Sequence, residues 1–184
     1  MLGKVSTLLA VLAAGPALAT GINITVEGEA NGVISIDLLE DVAPEHVERI
    51  TNLAQAGAYN GVVFHRVIDG FMAQTGDVQF GQIDEYDASR AGRGGSDFDN
   101  LPAEFSEITF DRGVVGMARS SDPNSANSQF FIMFEPGPFL DGQYTVVGQV
   151  SSGLEVLDAI KRGHPRSGAI DGAPDVMSEV SVTE

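Results

Sequence analysis

From Ile22 onward the apolar residues fall in short runs broken by turn formers, and the spacing changes to a helical period in only two places. This pattern constrains the fold more than anything else in the chain, because runs too short for helices bury their apolar faces side by side in sheets. The stretch "INITVEGEANGVISIDLLED" reads as two strands joined at Asn31-Gly32, a dipeptide that supplies the positive φ angles of a tight hairpin turn. Further strands are expected at Val62 to Val67, Phe71 to Gly76, Gly113 to Ala118, Gln129 to Phe134, Thr145 to Val150 and Val176 to Val182.

In "APEHVERITNLAQAGA", Val47, Ile50, Leu53 and Ala54 share one helical face, with Pro44 suited to the first turn and Gly57 to the C-terminal cap. In "SSGLEVLDAIKRG", a capping box of Ser152 with Glu155 opens a second helix, Lys161 and Arg162 suit its last turn, and Gly163 follows it. A mainly β chain with two isolated helices predicts a closed β-barrel whose ends the helices plug.

At 184 residues and 43% hydrophobic, the chain has material for one sizeable core rather than two. Its start, "MLGKVSTLLAVLAAGPALATG", has an early positive charge at Lys4, an apolar stretch from Val5 to Ala14, and Ala17-Leu18-Ala19 before Thr20. These are the parts of a secretory signal peptide over residues 1–19, cut after Ala19, which leaves a single domain at 20–184. The apolar stretch is too short to span a bilayer, although a retained anchor is the alternative reading. With no cysteine in the chain, export depends on the core rather than on disulfides, which suits a periplasmic or secreted domain.

Loss of Lys4 leaves 9 basic against 26 acidic residues, a surface that repels phosphate backbones and anionic lipid. No nucleic-acid partner and no stable membrane association are therefore expected.

The usual catalytic patterns are missing. His46, His65 and His164 show no metal-ligand spacing, and the sequence has no HExxH, Walker loop, GxGxxG or GxSxG. The acidic "SDFDNLPAE" lacks the glycine of a calcium loop and a terminal glutamate at the loop's spacing. Two irregular stretches remain, Gly81 to Glu104 and "RSSDPNSANS", and long loops of this kind either carry function or are plain surface.

A cation also interrupts an apolar run: in "VVFHRVIDGFMAQTGD", Arg66 stands among strand formers. Alternation alone would turn it to solvent. If strands bring Arg66, Phe71, Met72, Gln74, Gln129 and Phe131 to a common surface, the product is an apolar cup with a cation and two amides at its rim; otherwise the aromatics are core and the polar residues their solvated neighbours.

The motifs "FHRVIDGFMAQTGD", "LPAEF", "GVVGMARSSDPNSANSQFFI" and "FLDGQYTVVGQV", in that order, resemble a cyclophilin-type peptidyl-prolyl cis/trans isomerase from about Val33 to Gly163. The resemblance implies a closed eight-stranded antiparallel β-barrel capped by two α-helices, needing no cofactor or metal. It implies isomerisation of X-Pro bonds in unfolded or partly folded polypeptides by a monomer. Carried over by motif, Arg66 is the catalytic arginine with Gln74 beside it, and Phe71, Met72, Phe131 and Leu140 cradle the proline ring. Gln129 helps position the peptide, and Ala118, Arg119, Phe139 and Tyr144 complete the substrate-binding set.

Three departures stand out. Phe139 replaces a tryptophan of many eukaryotic members, Tyr144 replaces their histidine, and Arg119 takes a position often held by asparagine in a loop one residue longer than the common form. The Phe139 change bears on cyclosporin affinity more than on catalysis. Two other readings use the same features: a module that binds proline peptides without turnover, and a holdase chaperone whose binding ignores proline and weakens with salt.

Overall fold

The computed structural model describes residues 20–183, so the signal peptide read over residues 1–19 lies outside the described residues. Strands β1 (Gly21–Glu27) and β2 (Gly32–Leu38) precede helix α1 (Pro44–Gln55); then come β3 (Val62–Val63), β4 (Arg66–Ile68), β5 (Met72–Thr75), β6 (Val114–Met117) and β7 (Phe130–Met133). Strand β8 (Val146–Ser152), helix α2 (Leu154–Ala159) and β9 (Val176–Thr183) complete the order. All nine strands join one sheet in the order β3-β9-β1-β2-β8-β6-β7-β5-β4, and every pairing is antiparallel.

This corrects the expected closed eight-stranded barrel: the nine-stranded sheet curls into an open half-barrel with its edges 9 Å apart, capped by the two helices. The cause lies in the run Val62 to Val67, expected as one strand. It divides at Phe64-His65, so that Val62 and Val63 pair with β9 while Arg66 to Ile68 pair with β5. The two sheet edges, β3 and β4, are thus successive pieces of one run, each paired with a different neighbour and not with each other.

Alternation drives burial along the sheet. Ile22 and Ile24 of β1 stand opposite Ile36 and Ile34 of β2 and opposite Val182 and Val180 of β9, and the four isoleucines are almost fully buried. Each such side chain contributes about 1.5 to 3 kcal/mol relative to exposure. Helix α1 packs on β9 through Val47, Ile50, Leu53 and Ala54, the expected face, with His46 buried beside them. Pro44 occupies its first turn, and Gly57, at φ +69°, follows the Ala56 cap.

Two local expectations give way to tertiary contacts. The β1–β2 connection is not a two-residue turn at Asn31-Gly32: it runs through residues 28–31, Asn31 does not take positive φ, and Val26 pairs with Gly32. The Ala30 N–H at its tip donates to Asp175, a buried carboxylate that also accepts the Lys161 N–H. The Ser152–Glu155 capping box does not form, because Ser152 is held in β8 opposite Ser35. Gly153 takes the cap position at φ +87°, where a Cβ would lie 2.2 Å from the Val33 carbonyl oxygen. Helix α2 then ends before Lys161 and Arg162, at the extended Ile160.

Candidate active site

Strand register assembles the site. Arg66 of β4 pairs with Gln74 of β5, Gln74 with Phe131 of β7, and Phe131 with Gly116 of β6, forming one row across four strands. Residues directly opposite in a sheet point to the same face, so the row delivers a cation, an amide and an aromatic ring side by side. Met72, two residues before Gln74, shares that face and is buried opposite Met133.

Beneath the row lies a second apolar cluster separate from the main core, built from Met72, Phe110, Val114, Phe131, Met133, Leu140 and Val146. Gly116 makes room for it: a Cβ there would lie 2.6 Å from both the Phe110 and Phe131 rings, whose centroids stack 5.7 Å apart. Leu140 reaches the cluster from the 3-10 turn Pro138–Leu140, and the Tyr144 ring meets Phe131 edge-on at 5.8 Å.

The result is a depression of about 310 Å³ lined by Arg66, Phe71, Met72, Gln74, Ala118, Arg119, Phe131, Leu140 and Tyr144. Its cation is held on two sides. Arg66 Nε donates to the Ser167 carbonyl at 3.2 Å, and Nη1 donates to Gln74 Oε1 at 3.2 Å while lying 3.6 Å from Met72 Sδ. Nη2 has no protein acceptor among the described residues. Burial lowers the proton affinity of the Arg66 guanidinium and Tyr144 opposes the shift, yet an arginine keeps its charge. The chain of amides continues from Gln74 Nε2 to Gln129 Oε1 at 3.0 Å and from Gln129 Nε2 to the Gly94 carbonyl at 2.8 Å.

A second concavity of about 240 Å³ adjoins the first, shares Gln74, Ala118 and Arg119 with it, and extends to Arg93, Gly94 and Gln129. Arg119 is fixed there by donating Nε and Nη2 to the Gln143 carbonyl and Nη1 to the Ser120 carbonyl, with its guanidinium 4.3 Å above the Tyr144 ring.

Of the eleven residues expected at the site, nine line the depression and Gln129 lines the adjoining groove. Phe139 stands at the rim, 63% exposed, its ring centroid 5.6 Å from that of Phe71. Sequence reasoning missed Phe110, Gly116 and the carbonyls of Ser167 and Gly94. A glycine inside the strand-like "GVVGMA" does signal close approach, so Gly116 was within reach. The carbonyls carry no side-chain signal at all.

His65 also belongs to this region. Its buried ring packs on Gly92, neither ring nitrogen has a hydrogen-bond partner among the described residues, and burial, opposed by Asp77 and reinforced by Arg66, pushes its pKa down to about 4. Among the described residues no three His, Asp or Glu side chains converge as metal ligands.

Residues 22–183 match the family model described as cyclophilin type peptidyl-prolyl cis-trans isomerase/CLD. A probable peptidyl-prolyl cis-trans isomerase of Brucella suis biovar 1 is 56% identical over 153 residues, 83% of this chain and 78% of that protein. Peptidyl-prolyl cis-trans isomerase-like 1 of Aspergillus oryzae is 39% identical over 132 residues, 68% of this chain and 74% of the relative. Among solved structures, a cyclophilin from Hirschia baltica aligns with TM-score 0.69 at 27% identity, covering 87% of this chain and 72% of that one. A Cryptosporidium parvum cyclophilin, crystallised in the presence of the dipeptide Ala-Pro, aligns with TM-score 0.72 at 26% identity over 89% of this chain and 99% of that one.

Proposed function

The chain belongs to the cyclophilin-type peptidyl-prolyl cis-trans isomerases, enzymes that act on X-Pro bonds, and we propose that Arg66 and Gln74 carry its reaction while Phe71, Met72, Phe131 and Leu140 hold the proline ring. The barrier to prolyl rotation is about 18 to 20 kcal/mol because twisting breaks C–N resonance, and no covalent bond is made or broken. A site for this reaction needs a fixed proline, a carbonyl side free to turn, and a donor that is better matched to the twisted amide than to the planar one.

In the twisted amide the nitrogen lone pair is released from the carbonyl. The observation that carries this reading is the unengaged Nη2 of Arg66 at the edge of an apolar depression, its guanidinium braced by Ser167 and Gln74. A braced donor loses little freedom on meeting the lone pair, or the turning carbonyl oxygen, and the partly dry surroundings strengthen the contact. A charge-assisted hydrogen bond of this kind stabilises the transition state by about 1.5 to 3 kcal/mol, roughly one to two powers of ten in rate.

Exchange NMR on a short X-Pro peptide tests this with the domain from Thr20 and its Arg66→Ala variant. Arg66→Ala, folded by its amide spectrum, is expected to lose about tenfold to a hundredfold in catalysed exchange. Equal catalysis by both proteins would remove Arg66 from the mechanism, and peptide binding without exchange in the unmodified domain would favour a binding module.

The proposed substrates are unfolded exported polypeptides, met by residues 20–184 acting as one monomeric domain outside the cytoplasm. Support comes from Lys4, the apolar stretch to Ala14 and the Ala17-Leu18-Ala19 ending, together with the absence of cysteine. Expression of the full chain in a Gram-negative bacterium should yield periplasmic protein whose mass begins at Thr20. Protein recovered uncleaved from the cytoplasm would overturn this localisation.

A further inference from the structure

We propose that the groove beside the proline depression selects peptides that carry an acidic side chain near the proline, through Arg93 and Arg119. This rests on the isomerase reading above and adds the substrate class. The chain has 26 acidic and only 10 basic residues, yet no carboxylate lines either the depression or the groove, while Arg66, Arg93 and Arg119 do. Arg112 is neutralised by Asp158 and Arg162 by Asp69, whereas Arg93 and Arg119, which line the groove, have no ion-pair partner among the described residues.

The Arg119 guanidinium and the backbone that carries Arg93 are set in place before a ligand arrives. Arg119 is held by the Gln143 and Ser120 carbonyls over the Tyr144 ring, so binding a carboxylate would order little that is not already ordered. Arg93 is exposed on a short loop segment whose flanking Gly92 and Gly94 N–H groups donate to Asp77 Oδ2 at 2.7 and 3.0 Å. Asp77 itself is fully buried behind that loop, and the Gln79 and Phe80 N–H groups also donate to it. Its charge is spread over four backbone donors rather than offered to the groove. Confined positive charge in a strongly acidic body attracts a carboxylate while the rest of the surface repels it, which favours a peptide whose acid enters the groove.

The test uses short peptides with a single X-Pro bond in which Glu, Gln or Lys stands one, two or three residues before or after the proline, with kcat/KM read by exchange NMR at low salt. At one or two of these positions Glu is expected to exceed Lys by about tenfold, with Gln between, and the ratio to shrink several-fold in 0.5 M NaCl. Within Arg93→Gln and Arg119→Gln, the Glu-to-Lys ratio should fall toward one whatever happens to the rate itself, and Arg93→Glu should shift preference toward Lys. Catalysis of all peptides with a ratio near one at every position overturns the selectivity and leaves the isomerase reading intact. So does a ratio that none of the Arg93 and Arg119 variants changes, whereas no catalysis of any peptide overturns the isomerase reading itself.

Discussion

Two residues beside the row of Arg66, Gln74 and Phe131 are set by space and solvation. A Cβ at Gly116 would lie 2.6 Å from both Phe110 and Phe131, rigid rings of the second apolar cluster, so the strain cannot be relieved by turning a flexible chain end. Gly116→Ala is expected to cost about 1 to 3 kcal/mol of stability, read as a lower urea midpoint, and to weaken peptide binding as Phe131 shifts. An unchanged midpoint would mean that the two rings can part freely. His65 is governed by burial instead. With its folded pKa near 4 against 6.5 in the unfolded chain, both states are neutral above pH 6.5, and between 6.5 and 4 only the unfolded state takes up the proton. The contribution of His65 to stability is therefore complete above pH 6.5 and is lost on acidification, by about 3 kcal/mol at pH 4. Urea unfolding of wild type and His65→Gln across this range should show the slope attributable to His65 vanish in the variant; parallel curves would refute the assignment. The glycine of "GVVGMA" at least signals close approach, whereas histidine in "FHR" gives no hint of its burial, because that depends on Gly92 folding back over it.

At the scale of elements, local sequence located α1 well and its N-terminal cap not at all. The period of Val47, Ile50 and Leu53, with Pro44 before and Gly57 after, marks the helix, but Ala43 at the N-cap has no side chain to offer. The acceptor comes from Glu104, 58 residues beyond His46: its carboxylate accepts the Glu45 and His46 N–H groups at 3.3 and 3.2 Å and lies 2.6 Å from His46 Nδ1. A borrowed cap of this kind ties the end of the long loop to the helix. Glu104→Ala is expected to destabilise the domain by about 1 to 3 kcal/mol, with loss of hydrogen-exchange protection concentrated in the first turns of α1 and in residues 101–104. Protection lost evenly over the domain would argue against a local cap. For α2 the reverse held: a good local capping pattern was overridden, since Ser152 already had a partner across the sheet in Ser35. Periodicity survives folding because it reflects which face is buried, whereas caps and turns are settled by whichever distant group arrives.

For the whole molecule, many short strands with two helices led to a closed barrel, to which the resemblance gave eight strands, whereas the run at Val62 to Val67 divides at Phe64-His65 and the nine-stranded sheet stays open. The site was more legible than the closure, because alternation along the strands brings Arg66, Gln74 and Phe131 into one row whether or not the edges meet. Net charge, readable from composition, acts on the molecule as a whole. A formal charge of -16, with three ion pairs among the described residues, two of them part-exposed, makes self-repulsion a cost of the folded state at neutral pH. Raising NaCl from about 20 mM to about 500 mM shortens the Debye length from roughly 20 Å to roughly 4 Å and should raise the urea midpoint at pH 7.5, by on the order of 1 kcal/mol in stability. A midpoint that falls with salt would show attractive pairs outweighing the repulsion. Because the groove arginines attract acid while the body repels it, the same salt should stabilise the fold and weaken the preference for Glu peptides. Measured on one sample, the two effects of salt should run in opposite directions, which a general loss of structure would not produce.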